Sequence, residues 1–276
     1  MTKTAEFTAA NLTADIGSVF KASADTLLSG AVANDIRNLL DQRGVILFPE
    51  IGLTDQQQIA FTKTLGIFKP EPGSKDGVFK VTMDPKSVGY AFYNQASFYW
   101  HIDGTMNDVP ILASILSARS LSPTGGETEF SNAYAAYEAL SESDKKAIDK
   151  LKVVHSFEAI ARHINPEPSY AEFKEWRAHG SKTLPLVWSH QSGRKSLILG
   201  NTAHHVVGMD PADSTELLIR LRDHATQPQF VYRHAWKLGD MVLWDNTGAM
   251  HRALRYPFDS GRLMHRTKLE GEEAFA

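Results

Sequence analysis

The chain has 276 residues, of which 42% are hydrophobic and 22% charged, and its formal net charge is -3 at pH 7. This balance is typical of a folded globular protein, and it disfavours binding to nucleic acid or to an anionic membrane surface. Cysteine is absent, which excludes disulfides, thiolate metal sites and cysteine nucleophiles. Metal ligands must therefore come from histidine, aspartate and glutamate, which suit iron better than structural zinc.

The first ten residues contain one lysine and no apolar run after it, so they do not resemble a secretory signal. No segment approaches the roughly eighteen apolar residues of a membrane span. We therefore expect a cytoplasmic protein. Repeats, low-complexity tracts and linkers rich in Pro, Gly and Ser are also missing, which favours a single domain over residues 1–276.

The first half of the chain begins with two clear elements. Residues 44–49 form a short apolar run that ends at Pro49, the pattern of a buried strand. The sequence Thr54-Asp55-Gln56-Gln57 is a capping box, in which the Thr hydroxyl and the Gln side chain satisfy backbone groups at a helix start. It predicts a helix that ends near Leu65.

An irregular segment follows at residues 69–96, interrupted by prolines and glycine. Because it leads into a candidate metal-binding motif, we interpret it as an active-site loop. Loop statistics alone allow a plain surface excursion equally well.

The rest of the chain predicts helices that begin at Ser141 and at Asp210-Pro211, together with many short strands. The predicted strands are residues 111–118, 184–188, 230–235, 241–244 and 263–269. Many strands with few helices between them favour a mostly β fold with peripheral helices, a double-stranded β-helix or jelly roll, over a parallel βαβ sheet.

The most informative motif is Trp100-His101-Ile102-Asp103. In an extended strand alternate side chains share a face, so His101 and Asp103 could hold two adjacent positions of one metal. Such a pair is weak evidence alone, because eleven histidines produce it easily by chance and core or surface roles would explain them. A distant His251, followed eleven residues later by Arg262, strengthens the hypothesis. Two imidazoles and one carboxylate leave positions open, as in non-haem Fe(II) oxygenases.

These motifs, taken in order, resemble the taurine dioxygenase and 2,4-dichlorophenoxyacetate dioxygenase family of Fe(II)/2-oxoglutarate-dependent oxygenases. The resemblance extends over almost the whole chain and is closer to the phenoxyacetate branch in the carboxyl half. The matching segments are residues 43–48, 55–61, 100–103, 125–128, 135–140, 239–246, 251–253 and 262–267.

The resemblance implies a role for each matching residue. His101, Asp103 and His251 would be the iron ligands, with 2-oxoglutarate and O2 as co-substrates. Thr128 and Arg262 would bind the outer carboxylate of 2-oxoglutarate, since a guanidinium fork fits a carboxylate. Without the family, Thr128 would be interpreted as an ordinary strand threonine.

Two further positions would contact the primary substrate, and a third would lie near the metal. Arg266 matches the family position that reaches an anionic group, although a surface salt bridge is the alternative. His205 matches a histidine that faces the substrate. Trp244 would lie near the metal, although a tryptophan in a strand is more often part of the core.

The residues just before the H-x-D pair depart from the two name-giving enzymes. Ser97, Phe98 and Tyr99 are bulkier and poorer in amides, which makes taurine doubtful as a substrate. Together with Phe92 and Tyr93, Phe98 and Tyr99 suggest a substrate with an apolar or aromatic body, although aromatic residues near a strand are more often core.

The sequence therefore predicts a dioxygenase that oxidises a C–H bond of a small organic acid, phenoxyalkanoate-like. Oxidation of a carbon that carries an ether oxygen would cleave the molecule. An alkylsulfate or sulfonate dioxygenase, and a non-catalytic jelly-roll protein that binds a metal or a small acid, remain alternatives. Asp103 argues against halogenation, because related halogenases lack the carboxylate ligand. The family resemblance also suggests a homo-oligomer, a dimer or tetramer.

Overall fold

A computed structural model describes residues 6–72, 74, 76–83 and 94–276. Part of the predicted active-site loop, residues 73, 75 and 84–93, lies outside the described residues, and so do Phe92 and Tyr93. None of the described helices is both long enough and apolar enough to cross a membrane.

Strands and short helices alternate along the described chain. In chain order they are β1 Thr8–Asn11, β2 Ser18–Lys21, α1 Ala24–Leu28, α2 Ala33–Arg43, β3 Val45–Phe48, α3 Asp55–Leu65, β4 Phe79–Val81, β5 Ala113–Ser120, β6 Thr128–Asn132, α4 Ala133–Glu138, α5 Glu142–Ile148, β7 Lys152–Ser156, α6 Phe157–Ile164, α7 Tyr170–Ala178, β8 Ser181–Pro185, β9 Val187–Ser189, β10 Lys195–Leu197, β11 Ala203–Val206, α8 Pro211–Ala225, β12 Val231–His234, β13 Met241–Asp245, β14 Ala249–Ala253 and β15 Leu263–Lys268.

Two sheets position the candidate site. The major sheet has seven strands in the order β1-β2-β3-β13-β5-β15-β4, and the minor sheet has three in the order β12-β6-β14. Within the described residues every strand pair of these sheets is antiparallel except β2 with β3. This agrees with the prediction against a parallel βαβ sheet. Strands β11-β7-β8 and β10-β9 form two smaller sheets.

The major sheet is buried on both faces. Ile46 and Phe48 of β3 point to one side, where Phe48 meets Phe61 of α3 edge to face at 5.4 Å. Val45 and Leu47 point to the other side. Alternation along a strand explains why the uninterrupted apolar run of β3 serves two cores at once.

The inner face of the major sheet packs toward the minor sheet. Val242 and Trp244 of β13 and Met264 of β15 form one cluster with Phe130 of β6. All four side chains are 2% exposed or less. The space between the two sheets is thus an apolar interior, and the candidate site lies at its edge.

Most predicted elements are present, with shifted ends. The capping box is confirmed, because the Thr54 hydroxyl accepts a hydrogen bond from the Gln57 amide and the Gln57 side chain accepts one from the Thr54 amide. Ser141 and Asp210 cap α5 and α8 as predicted. The predicted strand at 184–188 is two strands, because the chain changes partners at Leu186 from β7 to β10.

Gln58 provides a buried polar connection between α3 and the major sheet. Its amide nitrogen donates to the carbonyls of Ile115 and His265, and its oxygen accepts a hydrogen bond from the Ser117 hydroxyl at 2.6 Å. The side chain is fully buried. It therefore ties β5 and β15 to the helix that covers them.

We predict that Gln58→Leu lowers the free energy of unfolding by about 2–3 kcal/mol, because buried polar groups lose their partner. Gln56→Leu is the matched control, since it makes the same change at an exposed position of the same helix. Urea unfolding of both variants measures the effect. Equal stability of the two variants would show that the Gln58 hydrogen bonds contribute nothing net.

Candidate metal centre

Two histidines from distant parts of the chain are paired through their backbones. The amide of His101 donates to the carbonyl of His251 at 3.0 Å, and the amide of His251 donates to the carbonyl of His101 at 2.9 Å. Side chains of directly opposed antiparallel residues project from the same face. The two imidazole rings consequently lie with their centroids 4.0 Å apart.

Asp103 approaches the same point from the side of the major sheet. One carboxylate oxygen accepts a hydrogen bond from the Ser114 hydroxyl at 3.2 Å and lies 3.9 Å from Nε2 of His251. One ligand atom from each of His101, Asp103 and His251 lies within 4.8 Å of the others. The structure therefore brings the three predicted ligands together.

The local backbone differs from the extended strand that the H-x-D pair suggested. Only His101 makes a strand-like bridge, and the chain turns from Asp103 through Met106. Gly104 in this turn has a φ of 85°, a conformation that glycine adopts readily. Asp103 thus reaches the histidines from a turn.

Hydrogen bonds behind the ligands hold their orientation. Nδ1 of His101 lies 2.8 Å from the Tyr99 carbonyl, which makes it the protonated nitrogen and leaves Nε2 for a metal. A separate series runs from the Trp244 indole to Asn246, from the Asn246 amide to Ser114, and from Ser114 to Asp103.

The protonation states suit metal binding. Burial lowers the pKa of His101, and burial with the neighbouring His101 lowers the pKa of His251 well below its usual value. Burial acts to raise the pKa of Asp103, but the Arg266 guanidinium and the two histidines outweigh it and hold that pKa well below its usual range. Two neutral imidazoles and a carboxylate are the forms that bind a divalent metal.

Arg262, eleven residues after His251, is a buried cation. It directly precedes β15, is 3% exposed, donates to the Gly126 carbonyl at 3.0 Å and lies over the Tyr256 ring. No carboxylate of the described residues forms an ion pair with it. A buried guanidinium without a counter-ion is costly, so this position is prepared for an anion.

Thr128 begins β6, two residues after Gly126. Its hydroxyl oxygen is buried and accepts a hydrogen bond from the Trp236 indole at 3.0 Å. The hydroxyl hydrogen remains to be donated elsewhere.

A cavity of about 340 Å³ opens beside the centre, and His101, Asp103 and Arg266 line it. Arg266 reaches the metal centre directly, donating to Asp103 at 3.1 Å. The remaining wall has an apolar part and a neutral polar part. The apolar part includes Phe79, Val81, Ile102, Met106, Phe157 and Ile160, and the polar part includes Asn94, Ser97, Thr105, Asn107, Asn201 and Thr202.

The structure places Phe98, Tyr99 and His205 elsewhere. Phe98 and Tyr99 line a separate cavity of about 480 Å³. Phe98 also packs edge to face on Tyr256 at 5.7 Å. His205 is exposed and lies beside His204, and it lines neither of these cavities. These three side chains are therefore not brought to the cavity of the metal centre.

Sequence reasoning missed the groups that support the ligands. Ser114 and the Tyr99 carbonyl have no motif of their own, because a backbone carbonyl or a strand serine carries no pattern. Lys268, which pairs with Glu71 beside Arg266, could also have been noticed, since it lies two residues beyond Arg266 and shares its face of the strand. Trp244 packs against His251 with ring centroids 4.7 Å apart, as expected.

Comparison with known proteins identifies this arrangement. Residues 8–268 match the family model described as "Taurine catabolism dioxygenase TauD, TfdA family". The chain belongs to the TauD/TfdA family. The prediction of this family from the motifs is therefore confirmed.

Two curated relatives illustrate the range within the TauD/TfdA family. The chain is 34% identical to an "Alpha-ketoglutarate-dependent 2,4-dichlorophenoxyacetate dioxygenase" of Burkholderia sp. (strain RASC), over 93% of this chain and 91% of the relative. It is 31% identical to an "Alpha-ketoglutarate-dependent sulfate ester dioxygenase" of Pseudomonas putida, over 89% of this chain and 83% of the relative.

A solved structure agrees with the sequence relatives. The crystal structure of AAD-2 in complex with Mn(II) and N-oxalylglycine superposes with a TM-score of 0.83 and 30% identity, covering 98% of this chain and all of that one. The chain is accordingly an α-ketoglutarate-dependent dioxygenase, and its cofactors are Fe(II), 2-oxoglutarate and O2.

The residues present fit these groups. Two histidines and one carboxylate are the ligand set of non-haem Fe(II) oxygenases, and Nε2 of His251 lies 3.9 Å from the Asp103 carboxylate at the point where the three side chains meet. For 2-oxoglutarate, the buried Arg262, which has no carboxylate partner among the described residues, is a cation of the kind that a distal carboxylate would need.

Gly126 allows Arg262 to lie where it does. A Cβ atom on Gly126 would come within 2.9 Å of Arg262 Nε. We predict that Gly126→Ala displaces the guanidinium and raises the KM for 2-oxoglutarate at least about tenfold, through loss of part of a charge-assisted pair. Gly193→Ala is the control, because Gly193 has a similar φ but open space around it. Equal KM values in the two variants would contradict the role of the contact.

Asp245, at the end of β13, generates a pH dependence of stability. Burial raises its pKa to about 6, although Thr247 donates to it through both its amide and its hydroxyl. In the unfolded chain the pKa of an aspartate is about 4, so the folded state holds the Asp245 proton more tightly than the unfolded state does. The stabilisation from this proton is complete below about pH 4 and is lost as the pH rises through about 6.

We predict that Asp245→Asn flattens this dependence, because the amide keeps an oxygen for Thr247 and carries no charge. Relative to the wild type, the variant should gain up to about 3 kcal/mol in the free energy of unfolding between pH 4 and pH 7. Asp259→Asn, at an exposed position, is the control. Parallel stability curves for the wild type and Asp245→Asn would refute the assignment.

Proposed function

We propose that this dioxygenase oxidises a C–H bond of a small organic acid with an apolar or aromatic body, phenoxyalkanoate-like. The observation that supports this most strongly is the placement of Arg266, which lines the cavity and contacts Asp103. An acid group bound by Arg266 would bring the adjoining carbon close to the metal. The apolar wall with Phe79 and Phe157 suits the body of such an acid.

In this proposal His101, Asp103 and His251 hold Fe(II), while Arg262 and Thr128 hold the outer carboxylate of 2-oxoglutarate. When bound, Fe(II) and 2-oxoglutarate activate O2, and one oxygen atom enters the substrate while 2-oxoglutarate becomes succinate and CO2. The Tyr99 carbonyl and Ser114 keep His101 and Asp103 in their orientations. Trp244 and Phe130, packed on the His251 ring, exclude water from one side.

Hydroxylation next to an ether oxygen gives an unstable hemiacetal. For phenoxyacetate the hemiacetal would separate into phenol and glyoxylate, so that oxygenation results in cleavage. A sulfate ester is the second candidate substrate, favoured by the neutral polar wall that could hold its additional oxygen atoms. The similarity of the chain to the Pseudomonas putida sulfate ester dioxygenase is consistent with this alternative.

We infer also that the major and minor sheets are the two layers of a double-stranded β-helix within one domain. The apolar cluster between them and the coverage of the solved relative support this. The metal ligands would then come from both layers, His251 from the minor sheet and Asp103 through its contacts with β5 and β15 of the major sheet. Phe98, Tyr99 and His205, which lie outside the metal-centre cavity, have no part in this account of substrate binding.

The function is tested by incubating the Fe(II)-loaded protein with 2-oxoglutarate and either phenoxyacetate or hexyl sulfate. We expect succinate release to rise with phenoxyacetate, with phenol formed in equal amount. Succinate that rises only with hexyl sulfate would favour the second candidate. Asp103→Ala, assayed in parallel, should show no coupled release, because it removes the carboxylate ligand.

Substitutions of Arg262 and Arg266 should affect different kinetic constants. We predict that Arg262→Ala raises the KM for 2-oxoglutarate more than tenfold, because losing a charge-assisted pair costs about 2–5 kcal/mol. Arg266→Ala should raise the KM for the organic acid and leave substrate-free decarboxylation of 2-oxoglutarate mostly intact. The opposite pattern in titrations of each ligand would reverse the two assignments.

A further inference from the structure

A carboxylate of the protein itself bridges two cations beside the metal centre. Glu71, which follows α3, contacts Arg266 Nη2 through Oε1 at 3.1 Å and Lys268 Nζ through Oε2. The three side chains are well shielded, with 14%, 13% and 11% exposed for Glu71, Arg266 and Lys268 respectively. Arg266 and Lys268 are two residues apart on β15 and therefore share a face.

Arg266 divides its guanidinium between two carboxylates. Nη1 donates to Asp103 and Nη2 donates to Glu71, each at 3.1 Å. The Asp103 contact directs Arg266 toward the metal centre. The Glu71 contact uses the nitrogen that an acid group of the substrate would need.

We propose that Glu71 occupies the place of the substrate's acid group, and that Lys268 is the second cation of that group's binding site. This inference rests on the proposed function. A carboxylate whose two oxygens pair with different cations shows how an incoming carboxylate would bind there. The substrate's acid group would replace Glu71 on Arg266 and Lys268.

The backbone on both sides of Glu71 is anchored by hydrogen bonds. The Lys69 amide donates to the Lys268 carbonyl at 2.9 Å, and the Glu71 amide donates to the Gly77 carbonyl at 3.2 Å. Displacement therefore requires rotation of one side chain and no movement of the segment. The protein's own carboxylate competes at a high effective concentration, of the order of millimolar or more for a short tether.

Such a competitor determines specificity. An anion that makes no contacts beyond its charge gains little by replacing Glu71. An acid whose apolar body also fills the cavity gains enough binding free energy to displace Glu71. Glu71 thus favours substrates that combine an acid group with a body, and it keeps weakly held anions away from Arg266.

The test is equilibrium binding to protein loaded with Mn(II) and 2-oxoglutarate in the absence of O2. The probes are phenoxyacetate, hexyl sulfate and the neutral phenoxyacetamide. The variants are Glu71→Gln and Lys268→Met, with Glu270→Gln as the control, since Glu270 is a half-exposed carboxylate that faces Lys69 nearby. Thermal unfolding of each variant verifies folding.

We expect Glu71→Gln to bind at least one of the two anionic probes about five- to tenfold more tightly and to leave phenoxyacetamide unchanged. Lys268→Met should bind the same anion less tightly than the wild type, and Glu270→Gln should bind it as tightly as the wild type. In turnover, Glu71→Gln should lower KM for that anion with little change in kcat or in the KM for 2-oxoglutarate, a division that a loss of structural support would not produce.

The inference is overturned if neither anion binds more tightly to Glu71→Gln than to the wild type, or if phenoxyacetamide gains as much as the anions. Turnover tests the proposed function separately. Tighter anion binding by Glu71→Gln without oxidation of either anion would support the acid-group site and reject the proposed substrates. Oxidation of phenoxyacetate, with anion binding by Glu71→Gln unchanged from the wild type, would support the proposed function and reject the role of Glu71.

Discussion

The backbone pairing of His101 with His251 is the constraint on which the site depends. Two reciprocal hydrogen bonds join segments 150 positions apart and fix both rings on one face. The metal centre therefore does not rely on flexible side chains finding each other. Asp103 completes the set from a turn, held by Ser114 and Arg266 of the major sheet. Any change that separates the two layers would separate the ligands as well.

The two buried arginines differ in their electrostatic surroundings. Arg262 has no carboxylate partner in the described structure, whereas Arg266 has Asp103 and Glu71. An unpaired buried cation suits a ligand whose charge completes the site, as a co-substrate does in every turnover. A paired cation suits a ligand that has to compete for it, and this competition makes the arginine selective. In the proposed function, the same residue type thus serves two purposes because its neighbours differ.

Much of this architecture was predictable from sequence, for physical reasons. The capping box at Thr54 encodes both of its hydrogen bonds locally, and the apolar run of β3 reflects burial on two faces. We could propose His101, Asp103, His251 and Arg262 from the sequence because the chemistry expected of them restricts residue type and order. Their spacing could be read without knowing the path of the chain between them.

What could not be predicted depends on contacts distant in sequence. The turn at Asp103 and the support from Ser114 arise from packing between sheets, which no local pattern encodes. The aromatic residues Phe98 and Tyr99 were assigned to the substrate because they are near His101 in sequence. Residues 96–98 form a short 3-10 helix rather than an extended strand, however, and Phe98, Tyr99 and Trp100 all line the other cavity. Glu71 carries no motif, and its role depends on its contact with a strand almost two hundred residues away.

We propose that His101, Asp103 and His251 together bind one metal ion. The most direct measurement is anomalous diffraction from a crystal of the protein grown with Mn(II) and 2-oxoglutarate without O2. The account predicts one strong anomalous peak with all three residues at metal–ligand distances near 2 Å. A peak elsewhere, or one from which any of the three side chains is turned away, would contradict it.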